Sequence, residues 1–393
     1  MPDAVILSAV RTPIGKFQGG LAGFSAMDLG ALAIRTAVAR AGLSPEQVGE
    51  VIMGNVLQAG LGQNPARQAA LAAGIPPGVA PFTVNKVCGS GMKSVMLATQ
   101  AIRLGDEQVV VAGGMESMTN TPYMLPGARD GLRLGDGKIV DLMVHDGLWD
   151  KYNNFHMGLT GELIAKELNV TRAEQDAFAA ESHRRAHAAT VKGEFKREIV
   201  PVEVKPKKGD PFLVEHDEGV RGDTTAEALA KMRPAFDKAG TVTAGNASQI
   251  SDGAAALALC SDEYAKANRL TPRARIVAYA SGGDIPARVM FAPIIAVRNL
   301  LAKMGVGIDH FQLLELNEPF AAASVGVMRE LHVNPEIANI RGGAVALGHP
   351  IGASGARIIV TLLHALEDRG LERGLAGLCL GGGNAVCIAI ERV

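Results

Sequence analysis

Two parts of the chain repeat one pattern, in which a strand is followed by a turn rich in glycine and serine and then by a helix. Cys88 stands in the turn of the first part, and His349 stands in the turn of the second. A repeated pattern of this kind predicts two halves of the same topology. If a pseudo-twofold axis relates the halves, the two helix starts meet at one centre, and Cys88 and His349 meet there with them.

Strands alternate with helices along both halves, which predicts an α/β fold. Short apolar runs at 4–7, 51–54, 109–112 and 275–278 indicate buried strands, and helical periodicity follows them. This alternation favours a parallel sheet covered by helices. Turns become frequent after about residue 120, where we predict an insertion carried over the sheet. The predicted segments are an N-terminal core half (1–119), an inserted loop domain (120–249), a return to the N-terminal half (250–270) and a C-terminal core half (271–393).

Composition argues against several classes of protein. The formal net charge of −1 provides no basic surface for nucleic acid. No apolar run is long enough to span a bilayer, and no basic region followed by an apolar run indicates a signal peptide. The four cysteines contain no CxxC pair, which argues against a structural zinc. We therefore expect no nucleic-acid or membrane partner, no metal, and free thiols in the reducing cytoplasm.

Cys88 lies at or just before the start of a predicted helix that ends at Gly105. Unpaired N–H groups and the positive end of the helix dipole favour a thiolate at such a position. The thiolate is the nucleophilic form of cysteine. The alternative is a small core side chain, because free cysteine is usually buried.

Four reactive side chains fall at predicted strand ends and helix starts: Cys88, Asn317, His349 and Cys379. Sites in open α/β sheets gather at the carboxyl ends of the strands. A cysteine next to a histidine is an activated nucleophile, and the glycines after Cys379 leave backbone N–H groups free to stabilise an oxyanion. Two thiols suit two tasks, since one can carry an acyl group while the other moves a proton.

The sequence resembles the thiolase family along essentially its whole length. Pro319 and Asn384-Ala385 depart from the family's usual residues, which leaves the shape of the substrate site open. The motifs that carry the resemblance are NKVCGSG at 85–91, NEPF at 317–320, GHPIGASG at 348–355 and CLGGG at 379–383, with GNAS at 245–248 and DGAA at 252–255.

The resemblance implies a five-layered αβαβα core of two similar halves, with a loop domain inserted in the first. It implies that Cys88 attacks an acyl-CoA thioester and becomes acylated, with His349 as the base. Cys379 would then remove a proton from the α-carbon of a second acyl-CoA. Asn317 would hold a water that stabilises the enolate oxygen together with His349, and the backbone N–H groups of Cys88 and Gly381 would form the other oxyanion hole.

The resemblance also implies contacts with the substrate. His156 and Met157 would line the acyl pocket, although plain loop packing is the alternative for this segment. Ser248 belongs to a segment that would lie against the pantetheine arm of coenzyme A, and Leu148 would contact the substrate as well. Arg221 would meet the nucleotide phosphates of coenzyme A, and the alternative is a solvated arginine.

The implied activity is that of an acetyl-CoA C-acetyltransferase, which condenses two acetyl-CoA reversibly to acetoacetyl-CoA and CoA through an acyl-cysteine. It needs no cofactor beyond the coenzyme A thioesters that are its substrates. One alternative is a broad-range 3-ketoacyl-CoA thiolase of fatty-acid β-oxidation. Another is a non-catalytic thiolase-like lipid carrier, which normally lacks part of the cysteine and histidine set. The expected partners are acyl-CoA, CoA and further copies of the chain in a homodimer or homotetramer.

Overall fold

A computed structural model describes residues 2–206 and 208–393. Across these residues one large sheet contains nine main strands, and the short strand Gly15–Lys16 pairs with the fifth of them. The main strands are β1 (Ala4–Arg11), β2 (Glu50–Gly54), β3 (Phe82–Val84), β4 (Val109–Ser117), β5 (Ser251–Ser261), β6 (Ala274–Gly283), β7 (Leu313–Leu316), β8 (Arg373–Leu380) and β9 (Asn384–Arg392).

Helices cover both faces of this sheet and also fill the space between its halves. The longer ones are α1 (Ala26–Arg40), α2 (Pro65–Ala73), α3 (Ser90–Leu104), α4 (Gly158–Glu167), α5 (Arg172–Lys192), α6 (Ala292–Met304), α7 (Ala321–Glu330) and α8 (Ile351–Arg369). Shorter elements include the helices Ala226–Ala230, Asp262–Ala267 and Ala344–Leu347, the π-helical turn Met143–Leu148, and the paired strands Trp149–Asp150 and Phe155–His156.

The two halves of the sheet have the same topology, as the repeated pattern predicts. In the first half the strands lie in the order β3-β2-β4-β5-β1. In the second half the order is β7-β8-β9-β6. A bridge between Leu314 and Ala338 extends this half beyond β7, in the position that β3 occupies beside β2 in the first half. Strands β1 and β6 join the halves.

The prediction of a parallel sheet is wrong, because the sheet is mixed. Among the nine main strands of the described residues, the parallel pairs are β2 with β3, β2 with β4, and β7 with β8. The last strand of each half, β5 or β9, runs antiparallel to both of its neighbours. Strand β9 is folded back onto β8 by a tight glycine turn at 381–383, and a tight turn joins only antiparallel strands.

The layers are arranged as αβαβα, which confirms the expected fold class. On β4, Val111 packs with α1 and α2, whereas the adjacent Val110 packs with α3 and α8. On β8, Leu375 packs with α6 and α7, whereas Ala376 packs with α3 and α8. Successive side chains of a strand point to opposite faces, so each half of the sheet has helices on both sides. Helices α3 and α8 form the shared middle layer.

The starts of α3 and α8 lie against each other, as the pseudo-twofold arrangement predicts. Gly91 permits this contact, because a Cβ atom there would lie 2.8 Å from the backbone nitrogen of Ala356. Gly355 is its counterpart, since a Cβ atom there would lie 2.5 Å from the backbone nitrogen of Met92. The two turns that carry Cys88 and His349 are thereby brought to one place in the molecule.

Helices α4 and α5 lie between β4 and β5 in the chain, and both pack against α7. The sequence pattern predicts a helix over 172–192, and α5 has these bounds, Arg172–Lys192. The four segment boundaries proposed from the sequence stay predictions. Within the described residues, no helix has both the length and the apolar character that crossing a bilayer requires.

Candidate active site

Cys88 lies in a strained turn, two residues before the first residue of α3. Ser90 holds the turn together, because its hydroxyl oxygen accepts from the Lys86 N–H at 2.8 Å and the hydroxyl donates to the Val87 carbonyl at 2.6 Å. The Val87 N–H donates to Asn85 Oδ1 at 3.0 Å. Val87 has a φ of +47°, which is rare for a β-branched residue. Such strain concentrates at functional sites, and here it presents Cys88 half-buried at the helix start.

The structure brings the two predicted reactive thiols together. Cys379 is buried near the end of β8. The next residue, Leu380, lies so close to Gly89 that a Cβ atom on that glycine would be 2.4 Å from the leucine Cδ2. Burial raises the pKa of the Cys379 thiol far above its ordinary value, and the neighbouring Cys88 raises it further.

Burial of Cys88 acts against the thiolate that the helix start is predicted to favour, and the thiolate stays a prediction. Burial raises the pKa of Cys88 to about 11, although the backbone N–H groups of Gly381 and of Cys88 itself act in the opposite direction. Loss of hydration therefore acts more strongly on this thiol than the two N–H groups do. A thiol with a raised pKa needs a base to become a nucleophile. The two N–H groups that face its sulfur are those predicted for an oxyanion hole.

His349 is buried and held by both its backbone and its ring. Its N–H lies 3.1 Å from the Gln249 carbonyl and 3.2 Å from Ser251 Oγ. Its Nδ1 lies 2.6 Å from Ser354 Oγ, and the Ser354 hydroxyl donates to the Pro350 carbonyl at 2.9 Å. Because that hydroxyl hydrogen is already used, Ser354 accepts from Nδ1–H. The lone pair is therefore on Nε2.

The ring of His349 is neutral at neutral pH. Burial lowers its pKa to about 3, and the positive charge of Arg357 contributes in the same direction. Cys88 packs in one cluster with Ile351, two residues after His349. The turns that carry the imidazole and the thiol therefore adjoin, and a neutral imidazole with a free nitrogen can take the proton of a thiol that reaches it.

Asn317 follows β7 directly, and its backbone N–H donates to the Gly377 carbonyl at 3.0 Å. Its Oδ1 lies 3.5 Å from Nη2 of Arg357. Its Nδ2 is buried and has no hydrogen-bond partner within residues 2–206 and 208–393. Asn317 and Cys379 both line a cavity of about 20 Å³, which is room for roughly one water.

Glu116 connects the loops around the site, although the sequence analysis did not identify it. Its carboxylate accepts from the N–H groups of Val56, Leu57 and Gly352 and from the Asn55 amide. Gly352 belongs to the first turn of α8, where a carboxylate is favourable. Burial raises the pKa of Glu116 to about 7 against the effect of these donors. An acidic residue inside an apolar strand was the available signal.

His156 and Met157 belong to the inserted region and pack toward the loop that carries Asn317. The His156 ring stacks on Phe236 with 4.7 Å between ring centres, and Phe236 meets the edge of Phe320 at 6.1 Å. Burial lowers the pKa of His156. Met157 packs against the hydrophobic cluster that contains Cys379. Both positions suit the wall of an acyl pocket, which stays a prediction.

Leu148 and Ser248 lie close to the reactive residues. Leu148 packs against the same small cluster as Cys88, and its carbonyl accepts from the Met157 N–H at 2.9 Å. The Ser248 N–H donates to the Pro319 carbonyl at 2.9 Å, two residues after Asn317. Contacts of both residues with coenzyme A stay predictions.

Arg221 differs from the other predicted residues because it is exposed. Its backbone N–H donates to Nδ1 of the buried His183 at 3.1 Å. Its contact with nucleotide phosphates stays a prediction. Among the described residues, no three His, Cys, Asp or Glu side chains are grouped as a metal site.

Comparison with known proteins identifies the family. Residues 4–263 match the model of the thiolase N-terminal domain, and residues 270–392 match that of the thiolase C-terminal domain. The chain belongs to the thiolase family. This thiolase is 54% identical over 394 residues to an acetyl-CoA acetyltransferase of Escherichia coli and 53% identical over 392 residues to one of Pseudomonas aeruginosa. Both alignments cover all of each chain.

A solved relative has the same fold. The crystal structure of the Bacillus anthracis acetyl-CoA acetyltransferase superposes on this thiolase with a TM-score of 0.98. The two chains share 44% sequence identity, and the match covers 100% of this chain and 99% of the other. A Staphylococcus aureus relative, 48% identical over 392 residues, is a probable acetyl-CoA acyltransferase. The chain is thus an acyltransferase of the thiolase family, and the roles of its individual site residues stay predictions.

Proposed function

We propose that this thiolase is an acetyl-CoA C-acetyltransferase, which converts two acetyl-CoA reversibly to acetoacetyl-CoA and CoA. The observation that carries the proposal is that the half-buried thiol of Cys88 and the buried thiol of Cys379 lie together where the starts of α3 and α8 adjoin, next to the turn that carries His349. The relatives in Escherichia coli and Pseudomonas aeruginosa, which carry the acetyl-CoA acetyltransferase name at 54% and 53% identity, support it. The complete set of Cys88, His349 and Cys379 argues against a non-catalytic lipid carrier.

In the first half-reaction, Nε2 of His349 takes the thiol proton of Cys88. The Cys88 sulfur attacks the thioester carbonyl of acetyl-CoA, and the N–H groups of Cys88 and Gly381 stabilise the oxyanion. The thioester bond to CoA breaks, and the CoA thiolate leaves with the proton of Cys379. The products are acetyl-Cys88, free CoA, a Cys379 thiolate and a His349 imidazolium.

In the second half-reaction, the Cys379 thiolate takes a proton from the methyl group of a second acetyl-CoA. Burial raises the pKa of Cys379, so its thiolate is a strong base for this step. The enolate oxygen accepts from Nε2–H of His349 and from a water held by the Asn317 amide, which must together supply several kcal/mol. The enolate carbon attacks acetyl-Cys88, and the departing Cys88 thiolate recovers its proton from His349. No electrons are exchanged with a redox partner, and the three side chains supply every proton transfer, so we propose no cofactor.

The acyl pocket should favour the shortest substrate. We expect acetoacetyl-CoA to be cleaved with a kcat/KM at least about ten-fold above that of 3-ketohexanoyl-CoA. A closed pocket loses about 0.8 kcal/mol of burial free energy for each methylene that it cannot bury. Forcing a longer chain into the pocket adds strain of about 1–3 kcal/mol. Met157→Ala should narrow the difference, since it shortens a side chain beside the cluster that contains Cys379. Steady-state thiolysis across chain lengths measures both effects.

Met27→Ala is the matched control, because Met27 is half-buried on α1 in the outer layer. It should leave the chain-length profile unchanged. A wild-type profile that is flat or that rises to eight carbons would favour the broad-range 3-ketoacyl-CoA thiolase of fatty-acid breakdown instead.

We also propose that the chain forms a homodimer or homotetramer in the cytoplasm. The four cysteines are free, as in proteins of a reducing compartment. The segment between Tyr123 and Ile139 exposes several large apolar side chains, among them Leu134 at 99% exposure. Apolar groups exposed together are typical of protein interfaces. A second copy of the chain would cover them.

Leu134→Asp should reduce the mass of the assembly in sedimentation velocity, because a carboxylate in an apolar interface is costly. The matched control is Leu104→Asp, which places the same charge at a side chain that is 72% exposed at the end of α3. The control should keep the wild-type mass. Equal masses for wild type and both variants would exclude Leu134 from the interface.

A further inference from the structure

Arg357 is a buried cation beside the candidate active site, and neither of the two proposed half-reactions uses it. It lies in the second turn of α8 and is only 2% exposed. Its Nη1 is 3.7 Å from Glu315 Oε2, and its Nη2 is 3.5 Å from Asn317 Oδ1. Within the described residues, Nε and Nη1 have no hydrogen-bond partner. A buried cation with so few partners lowers the stability of the folded protein. A functional role would explain why the cation is there.

The guanidinium determines which way the Asn317 amide faces. An arginine only donates hydrogen bonds, so the amide atom that faces Arg357 has to be the oxygen. The amide nitrogen, Nδ2, is then turned away from Arg357. Among the described residues, no other group hydrogen-bonds to the Asn317 side chain. Without Arg357 the amide would be free to flip and would present its oxygen where a donor is needed.

The positive charge of Arg357 also lies beside Asn317, and the acidic side chains that act on this charge are Glu315, Glu198 and Glu318. Burial raises the pKa of Glu315 to about 8, even though Arg357 opposes the rise. The separation of 3.7 Å between Nη1 and Oε2 is long for a charge-assisted hydrogen bond. A cation at Oδ1 polarises the amide, and a polarised amide has a stronger N–H donor.

We propose that Arg357 is a positioning residue, which orients and polarises the Asn317 amide so that its N–H stabilises the enolate. The inference rests on the proposed function, because it assigns Arg357 to the enolate step alone. Arg357 acts through Asn317 and does not touch the substrate. The two residues should therefore be coupled energetically, whereas Cys88 acylation should depend on Arg357 only weakly.

A double-mutant cycle tests this coupling with wild type, Arg357→Met, Asn317→Ala and the double variant. Deuterium exchange into the methyl group of acetyl-CoA reports the enolate step, and mass spectrometry of Cys88 reports acylation, both at pH 8. We expect Arg357→Met to slow exchange about 10–100-fold in the wild-type background and by no more than about two-fold in the Asn317→Ala background. Cys88 acylation should stay within about three-fold of wild type.

Arg341→Met is the matched control, because Arg341 is also fully buried but pairs with Glu194 and Asp368. Its effect should be the same in both Asn317 backgrounds. If Arg357→Met does not fold, Arg357→Lys replaces it, since lysine keeps the charge but cannot reproduce the planar fork. The lysine variant should slow exchange in the wild-type background alone.

The inference would be overturned if Arg357→Met or Arg357→Lys slowed deuterium exchange by the same factor in the wild-type and Asn317→Ala backgrounds. It would also be overturned by a loss of Cys88 acylation as large as the loss of exchange. A failure of the proposed function would look different, because the wild-type protein itself would then show neither acetyl-Cys88 nor exchange.

Discussion

Cys88→Ala should form no acetyl-enzyme and should lose at least about 10³-fold in kcat for both condensation and thiolysis, because the nucleophile is removed. In the wild-type protein, acetyl-CoA alone should acetylate Cys88. Burial raises the pKa of this thiol to about 11, and Nε2 of His349 is expected to accept its proton. Peptide mass spectrometry after an acid quench locates the acetyl group.

Cys260→Ala is the control for this experiment, because Cys260 is fully buried on β5 in the outer cluster with α1 and α2. It should acquire the acetyl group on Cys88 at the wild-type level. An acetyl group found on Cys379 alone would reverse the roles of the two thiols.

Cys379→Ala should separate the half-reactions. Acetylation of Cys88 should stay within about ten-fold of wild type, whereas condensation and methyl-proton exchange should fall at least about 10³-fold, because the general base is absent. Solvent deuterium entering the methyl group of acetyl-CoA is the direct readout. It reports the proton transfer even when no product accumulates.

Cys387→Ala serves as the matched control for Cys379→Ala. Cys387 is buried in the same hydrophobic cluster and lies opposite Gly377 on the adjoining strand β9. Its removal changes packing without removing the proposed base, so exchange should continue near the wild-type rate. If exchange in Cys379→Ala also continues at the wild-type rate, another group is the base.

Helix bounds were predictable where the signals are local. Helix α5 has the predicted range because a capping box joins Thr171 to Glu174 and Gly193 adopts the left-handed conformation at its end. Helix α3 ends before Gly105 because this glycine also adopts the left-handed conformation. The glycine turn at 381–383 also predicts a hairpin, so the antiparallel direction of β9 was predictable, whereas the direction of β5 was not. Residues 118–250 separate β5 from β4 in the chain, and no local pattern indicates whether β5 pairs parallel or antiparallel with its neighbours in the sheet.

Parts of the candidate site were missed because their partners are distant in the chain. Glu116 binds the start of α8 across 236 residues of sequence, and Arg357 meets Asn317 across 40. Ser354 was within the histidine motif, but only the hydrogen bonds around it reveal that it orients the His349 ring. No spacing rule predicts contacts of this kind.

By itself, the amino-acid sequence determined the repeated order of strands and helices and the placing of Cys88, Asn317, His349 and Cys379 at their ends. Hydrophobic periodicity, caps and turn glycines act over a few residues, so they can be recognised without the fold. Only the tertiary structure decided the surroundings of the Cys88 thiol, the hydrogen-bond partner of the His349 ring and the direction of the Asn317 amide. These properties depend on burial and on hydrogen-bond partners, and the chain has to fold before either exists.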